Sequence, residues 1–247
     1  MKLLVGTSGF AFKEWRGTFY PENVPADGML AYYAGRFPTV EINNTFYRLP
    51  KENVLAEWTS QVPETFTFAI KASQRITHFA RLKPAAKDPL DFLLRNLRVM
   101  GDRLGAVLLQ VPPTLEKDVD RLRAFLDFLP HEQRFTIEFR HSSWFDEDVM
   151  TELRSRNVAL CISEQDDFIT PPVATADWGY VRLHRFDYTA ANLEDWGRRV
   201  FEQGWKDAYV YFKHDEANGV TGPLSGPSAV EAFMRLSRSA DRQLTPR

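Results

Sequence analysis

The sequence predicts a TIM-type (β/α)8 barrel, an α/β fold, on three observations. Eight short apolar runs alternate with stretches of helical character along the chain. The length of 247 residues lies close to the ~250 typical of that barrel. No Gly-x-Gly-x-x-Gly follows the first run, so an open doubly wound sheet lacks its usual signature.

The elements follow in order. Leu3 to Gly6 is strand one, closed by Thr7-Ser8-Gly9. Phe10 to Asp27 mixes Phe12, Trp15, Phe19 and Tyr20 with Gly and Pro, which predicts a packed loop rather than a linker. Gly28 to Gly35 is a short helix. Strand two lies in Arg36 to Asn43 and ends in a polar, aromatic loop, and Lys51 to Ser60 is the next helix. Phe66 to Lys71 is strand three. A helix then starts at an N-cap on Asp88 and runs through Arg103. Leu104 to Gln110 is strand four, stopped by Pro112-Pro113, with a helix over Lys117 to Phe128. Arg134 to Phe139 is strand five, with a helix over Asp146 to Arg156. Val158 to Ile162 is strand six, and a Pro-rich stretch without a clear helix follows it. Strand seven lies in Asp177 to His184, with a helix from Asn192 to Gln203. Strand eight is Asp207 to Lys213, and Pro227 to Ser237 is the closing helix. One barrel domain is expected over 1–238, with 239–247 a frayed polar tail.

Hydrophobic residues make up 44% and charged residues 26%, the balance of an ordinary globular chain. A net charge of -2 gives no global basic field for nucleic acid or anionic membrane. Leu3-Leu4-Val5 is too short for a signal peptide, and no apolar run approaches the ~20 residues that span a bilayer. No membrane partner and a cytoplasmic location are therefore expected. The single Cys161 excludes a disulfide within the chain and reads as an inert buried thiol.

Strand side chains alternate between the barrel interior and the helix layer. In strand two, Val40 and Ile42 oppose Thr39, Glu41 and Asn43. In strand three, Phe66, Phe68 and Ile70 oppose Lys71. In strand five, Phe135, Ile137 and Phe139 oppose Glu138 and Arg140. Strand four ends its inner face on Gln110, strand seven on Arg182 and His184, and strand eight on Lys213. Glu41, Asn43, Lys71, Gln110, Glu138, Arg140, Arg182, His184 and Lys213 should thus meet at the C-terminal mouth, where active sites of this fold lie. A purely structural ion-pair layer is the competing reading. Two carboxylates against four Lys or Arg leave a cationic surplus, which calls for an anion such as phosphate, sulfate or carboxylate.

A set of motifs carries a family resemblance: Gly6-Thr7-Ser8-Gly9-Phe10, Trp15-x-Gly17-x-Phe19-Tyr20-Pro21, Tyr32-Tyr33, Val40-Glu41-Ile42-Asn43-x-Thr45-Phe46-Tyr47, Thr77-His78, Gln110-x-Pro112-Pro113 and Glu138-x-Arg140-His141-x-Ser143-Trp144. Together they resemble the YecE-like family, domain of unknown function 72. The resemblance implies a TIM barrel and no particular activity. The sequence departs from the Asn-rich end of many members after strand eight, where it has Phe212-Lys213-His214-Asp215.

The leading expectation is an enzyme of hydrolase or isomerase type that binds a phosphorylated or other anionic small molecule, or a nucleotide. Glu41 or Glu138 would be the base and His184 an acid or base. Asn43, Lys71, Gln110, Arg140, Arg182, Lys213, Tyr47, His141 and Trp144 would contact the substrate. The alternative is a non-catalytic binder of nucleic-acid ends or bases in the same pocket, stacking them on rim aromatics among Trp15, Phe19, Tyr20, Phe46, Tyr47 and Trp144. Glycoside hydrolysis by the two glutamates fits poorly, because the cations would depress both carboxyls. A divalent metal on Glu41, Glu138, His141, His184, His214 or Asp215 is a further alternative. The absence of His-x-His or His-x-x-x-His spacing leaves no metal ligand assigned. Gly219 to Gly226, leading into the last helix, is a candidate phosphate loop. Lys71 reads as an ion-pairing lysine ahead of a Schiff-base lysine, and His78 as a rim or solvated loop residue.

Overall fold

The computed structural model describes residues 1–48, 50–165, 168–214 and 224–244, with side chains of the last helix described through 237. Eight parallel strands form a nearly closed barrel: Lys2–Thr7, Thr39–Ile42, Thr67–Lys71, Leu104–Gln110, Phe135–Glu138, Ala159–Gln165, Trp178–Leu183 and Asp207–Phe212. Strand one pairs with strand eight in unbroken register, from Lys2 opposite Asp207 to Thr7 opposite Phe212. The seam between strands one and two is joined by a bridge at the mouth, Ser8 opposite Glu41, and the Gly9 N–H donates to the Glu41 carbonyl at 2.8 Å. Helices α1 (Met29–Ala34), α2 (Glu52–Ser60), α3 (Lys87–Leu97), α4 (Val119–Leu126), α5 (Glu147–Ser155), α6 (Ala190–Glu202) and α7 (Gly226–Leu244) follow every strand except the sixth.

The alternation read from the sequence holds strand by strand. Val40, Ile42, Phe68, Ile70, Val107, Leu109, Phe135, Ile137, Leu160, Ile162, Val181, Leu183, Val210 and Phe212 belong to one core beneath the helices. A second, separate core fills the barrel. Strands seven and eight give it Trp178, Tyr180, Tyr209 and Tyr211, while strands three, four and six answer with Ala69, Ala106, Ala159 and Cys161. Large side chains against small ones fill the lower barrel solidly. The open space is left at the strand C-termini.

Three elements differ from expectation. Strand six runs on to Gln165, because it stays paired with strand seven through Glu164 and a short strand, Phe168–Ile169, folds back antiparallel onto Glu164 and Gln165. Helix α3 begins before Asp88. The turn Pro84–Ala86 leads straight into it, Ala86 takes the cap position, and Asp88 lies in the first turn, where its charge suits the helix dipole. Helix α7 continues past Ser237 to Leu244. Among the described residues no helix forms between strands six and seven. Thr175 there accepts from the Leu160 N–H (2.7 Å) and donates to the Val158 carbonyl (2.8 Å), which ties the Pro-rich segment to the barrel. Among the described residues no helix is long and apolar enough to cross a membrane.

Gly6 governs the seam. A Cβ added there would lie 2.0 Å from the Thr39 carbonyl oxygen, so strands one and two could not approach. Gly6→Ala should cost about 3 kcal/mol or more through overpacking against backbone. Urea denaturation checks this, and an unchanged midpoint would show that the seam tolerates expansion.

Candidate functional site

Strand alternation delivers the polar groups to the mouth, and their hydrogen bonds then fix them. Arg182, from strand seven, lies between the two glutamates. Its Nη2 donates to Glu41 Oε1 at 3.0 Å, and its Nη1 donates to Glu138 Oε2. Both glutamates have no solvent exposure. Glu41 also accepts from Tyr180 OH (2.6 Å), Ser8 Oγ (2.7 Å) and Asn43 Nδ2 (3.1 Å). Glu138 accepts from Arg140 Nε (2.7 Å) and Gln110 Nε2 (3.0 Å). Lys71 Nζ donates to Gln110 Oε1 at 2.9 Å and sits 4.4 Å from the centre of the Phe46 ring.

The electrostatics follow from these contacts. Burial pushes the Glu41 carboxyl up, but Arg182 and the hydrogen bonds from Tyr180 and Ser8 outweigh it, and the net shift is down. Burial likewise opposes ionisation of Glu138, yet Arg182, Arg140 and Gln110 bring it to about 2. Both are carboxylates at neutral pH. Burial, then the charges of Arg182, Lys213, Arg140 and Lys71, hold His184 well below the ordinary histidine value. Burial and Arg182 lower Lys71 to about 8, with Glu138 and Glu41 pulling the other way.

Proton counting assigns the His184 tautomer. Ser8 Oγ lies 2.7 Å from the Glu41 carboxylate and 3.1 Å from His184 Nε2. An ionised carboxylate only accepts, so the hydroxyl proton goes to Glu41. His184 Nε2 must then donate to Ser8. The neutral ring keeps its lone pair on Nδ1.

Above this layer opens a cleft of about 730 Å³. Asn43, Tyr47, Lys71, Gln110, Arg140, Arg182, His184 and Lys213 line it, as do Ser8, Phe12 and Trp58. Glu41 and Glu138 lie beneath the lining, buried and saturated with donors, so neither is placed as a freely accessible base. His141 and Trp144, expected at the site, are elsewhere. The chain turns sharply after Arg140, and His141 caps that turn by accepting from the Ser143 N–H (3.3 Å). Trp144 folds into the helix-side core, stacks on Phe139 at 4.5 Å between centroids, and donates Nε1 to the Leu115 carbonyl (2.6 Å). Trp15, Phe19 and Tyr20 are packed together in the loop before α1. His78 packs edge-on against Phe46. His214 Nδ1 accepts from Trp15 Nε1 at 3.2 Å. Among the described residues no three His, Cys, Asp or Glu gather as a metal site, and Asp215 lies outside those residues. Residues 219–223 of the candidate phosphate loop also lie outside them.

Sequence reasoning missed Gln165, whose Oε1 accepts from Arg140 Nη1 at 3.1 Å. Its signal was the continued alternation Cys161, Ser163, Gln165. It also left Ser8 and Tyr180 without roles, although both hold Glu41.

A family model described as "Protein of unknown function DUF72" matches residues 4–242. The chain belongs to the DUF72 family. YunF of Bacillus subtilis is 24% identical across 98% of this chain and 99% of its own length. YecE of Escherichia coli is 36% identical over 117 residues, 47% of this chain, and the match spans only 43% of that relative. A crystal structure of a DUF72 family protein from Thermotoga maritima superposes with a TM-score of 0.78 at 25% identity, covering 98% of this chain and 100% of the other. Family membership names no chemistry, so function has to be argued from this DUF72 site itself.

The Glu138 shift has a pH consequence. Its folded value is depressed from 4.5 to about 2, so the stability it contributes is complete above 4.5 and disappears as pH falls through about 2. Glu138→Gln leaves Arg182 half-compensated and should cost about 3–5 kcal/mol at neutral pH. The variant should also lose less stability than the parent on acidification over that window. Urea midpoints against pH measure both, and parallel curves would remove Glu138 as the keystone.

Proposed function

We propose that this DUF72 protein is an enzyme-type barrel that binds an anionic small molecule, a phosphorylated compound or nucleotide, at the strand C-termini. A charge imbalance carries the reading. Arg182 and Arg140 are engaged by Glu41 and Glu138. Lys71 and Lys213 also line the cleft, and neither pairs with a carboxylate among the described residues. Two lysines on one concave surface, without a carboxylate partner among the described residues, favour a ligand that carries negative charge. In this reading Glu41 and Glu138 position Arg182 instead of touching the ligand. His184 is the base, through Nδ1, for a hydrolysis or isomerisation.

A second reading rests on Tyr47, a cleft residue that is 76% exposed. Such rings stack on bases, as a binder of nucleic-acid ends would require.

A thermal-shift panel of inorganic phosphate, sugar phosphates, nucleotides, short single strands and neutral sugars separates these. A ligand at about 100 times its Kd adds ~2.7 kcal/mol, a rise of about 5–10 °C for a chain of this size. The rise should come with phosphorylated small molecules, and Lys213→Ala or Arg140→Ala should weaken binding about 10- to 100-fold. A response confined to single strands, steeply salt-dependent and lost in Tyr47→Ala, would move the second reading ahead. A melting temperature indifferent to every anion would sink both.

A further inference from the structure

Lys71 is the cleft cation whose surroundings go beyond what anion binding requires. It ends strand three and lines the cleft. Its Nζ donates to a neutral acceptor, Gln110 Oε1, and no carboxylate pairs with it among the described residues. A lysine placed for charge pairing would be expected against Glu41 or Glu138, but Arg182 and Arg140 already engage them. Burial and Arg182 lower its ammonium to about 8. At about pH 7.5 roughly a quarter of it is then free amine, against about one part in a thousand for an ordinary lysine. The lowered value comes from desolvation and fixed neighbouring cations, which is how lysine nucleophiles are activated.

We propose that Lys71 forms an imine with the carbonyl group of an anionic aldehyde or ketone bound in the cleft. The proposal rests on the anion reading and narrows it to carbonyl compounds that carry phosphate or carboxylate. The Nζ lone pair attacks the carbonyl carbon, a C–N bond forms, and the C=O π pair moves to oxygen, which takes up a proton. The nitrogen gives up a proton, the hydroxyl takes one and leaves as water, and the C=N bond closes. Amine, carbonyl and one proton from solvent thus give the protonated imine and water, with no oxidant or reductant consumed. His184, neutral and on the same cleft, has a free Nδ1 lone pair for these proton transfers. The Phe46 ring beneath Nζ suits the cationic, protonated imine, because an aromatic face attracts a nearby cation. Lys213 and Arg140 remain for the anionic end of the substrate.

Borohydride trapping on the full chain tests this. Glyceraldehyde 3-phosphate and pyruvate are the probes, neutral glyceraldehyde is the comparator, and intact mass with peptide mapping is the readout. A single reduced adduct on Lys71 is expected with at least one of the two anionic probes. It should exceed labelling at any other lysine, and labelling by neutral glyceraldehyde, by about tenfold, and rise with pH through about 8. Inorganic phosphate should protect, and Lys71→Arg should abolish the adduct. The melting curve of that variant confirms that it folds. Adducts spread evenly over the lysines, or unchanged in Lys71→Arg, would overturn the proposal. If phosphate still raises the melting temperature while Lys71 stays unlabelled, the imine fails and the anion reading survives. If phosphate neither stabilises nor protects, and neither anionic probe outdoes the neutral aldehyde, both fail.

Discussion

Arg182 held between two buried glutamates is the constraint on which the mouth of this barrel depends. A guanidinium and two carboxylates out of water are tolerable only when each is paired and hydrogen-bonded. Here the pairing runs across the barrel, from strand seven to strands two and five. Glu41 extends it to the seam, since its side chain takes the Ser8 hydroxyl and its backbone takes the Gly9 N–H. The weakest join in the barrel wall is therefore braced by the same carboxylate that holds Arg182. Closure and site geometry are one problem in this chain, and Gly6 solves its steric half by letting strand one lie against the Thr39 carbonyl.

The barrel and the convergence of Glu41, Lys71, Gln110, Glu138, Arg140, Arg182 and His184 were legible in the sequence, because the period of a strand is rigid. Once Val40 and Ile42 face the helices, Glu41 has no choice but to face inward. The inner and outer cores divide along that prediction. Legibility stopped where the chain leaves the strands. Two residues past Glu138 the backbone turns, and Trp144, a plausible stacking residue by composition, becomes a core ring against Phe139. Strand six looked finished at Ile162 because its apolar face ends there. It continues because strand seven stays paired with it through Glu164 and Phe168–Ile169 pairs back onto it, contacts that local sequence does not announce. Nor does alternation reveal depth. It places Glu41 and Glu138 inside the mouth, but cannot tell a residue lining the cleft from one sealed beneath it.

That difference in depth decides the chemistry. A glutamate on the cleft wall would be a candidate base. A glutamate sealed below it and engaged by an arginine is an electrostatic support. The full-length likeness to YunF and to the Thermotoga maritima structure fixes the fold and leaves this question to the residues.

The support also shapes what lies above it. Because Arg182 and Arg140 neutralise the glutamates at contact distance, little of that negative charge is left to stabilise an ammonium on Lys71. Burial removes the water that would otherwise keep Lys71 protonated, Arg182 repels it more strongly than either glutamate attracts it, and the net shift is down. His184 meets the same field and is held neutral. An arrangement that pairs Arg182 with both buried glutamates thereby leaves one neutral imidazole and one lysine of lowered basicity at the cleft. Exchanging Arg182 for a neutral residue would weaken the fold and raise the basicity of both nitrogens together, but only in part, because burial is the larger cause of each shift and would remain.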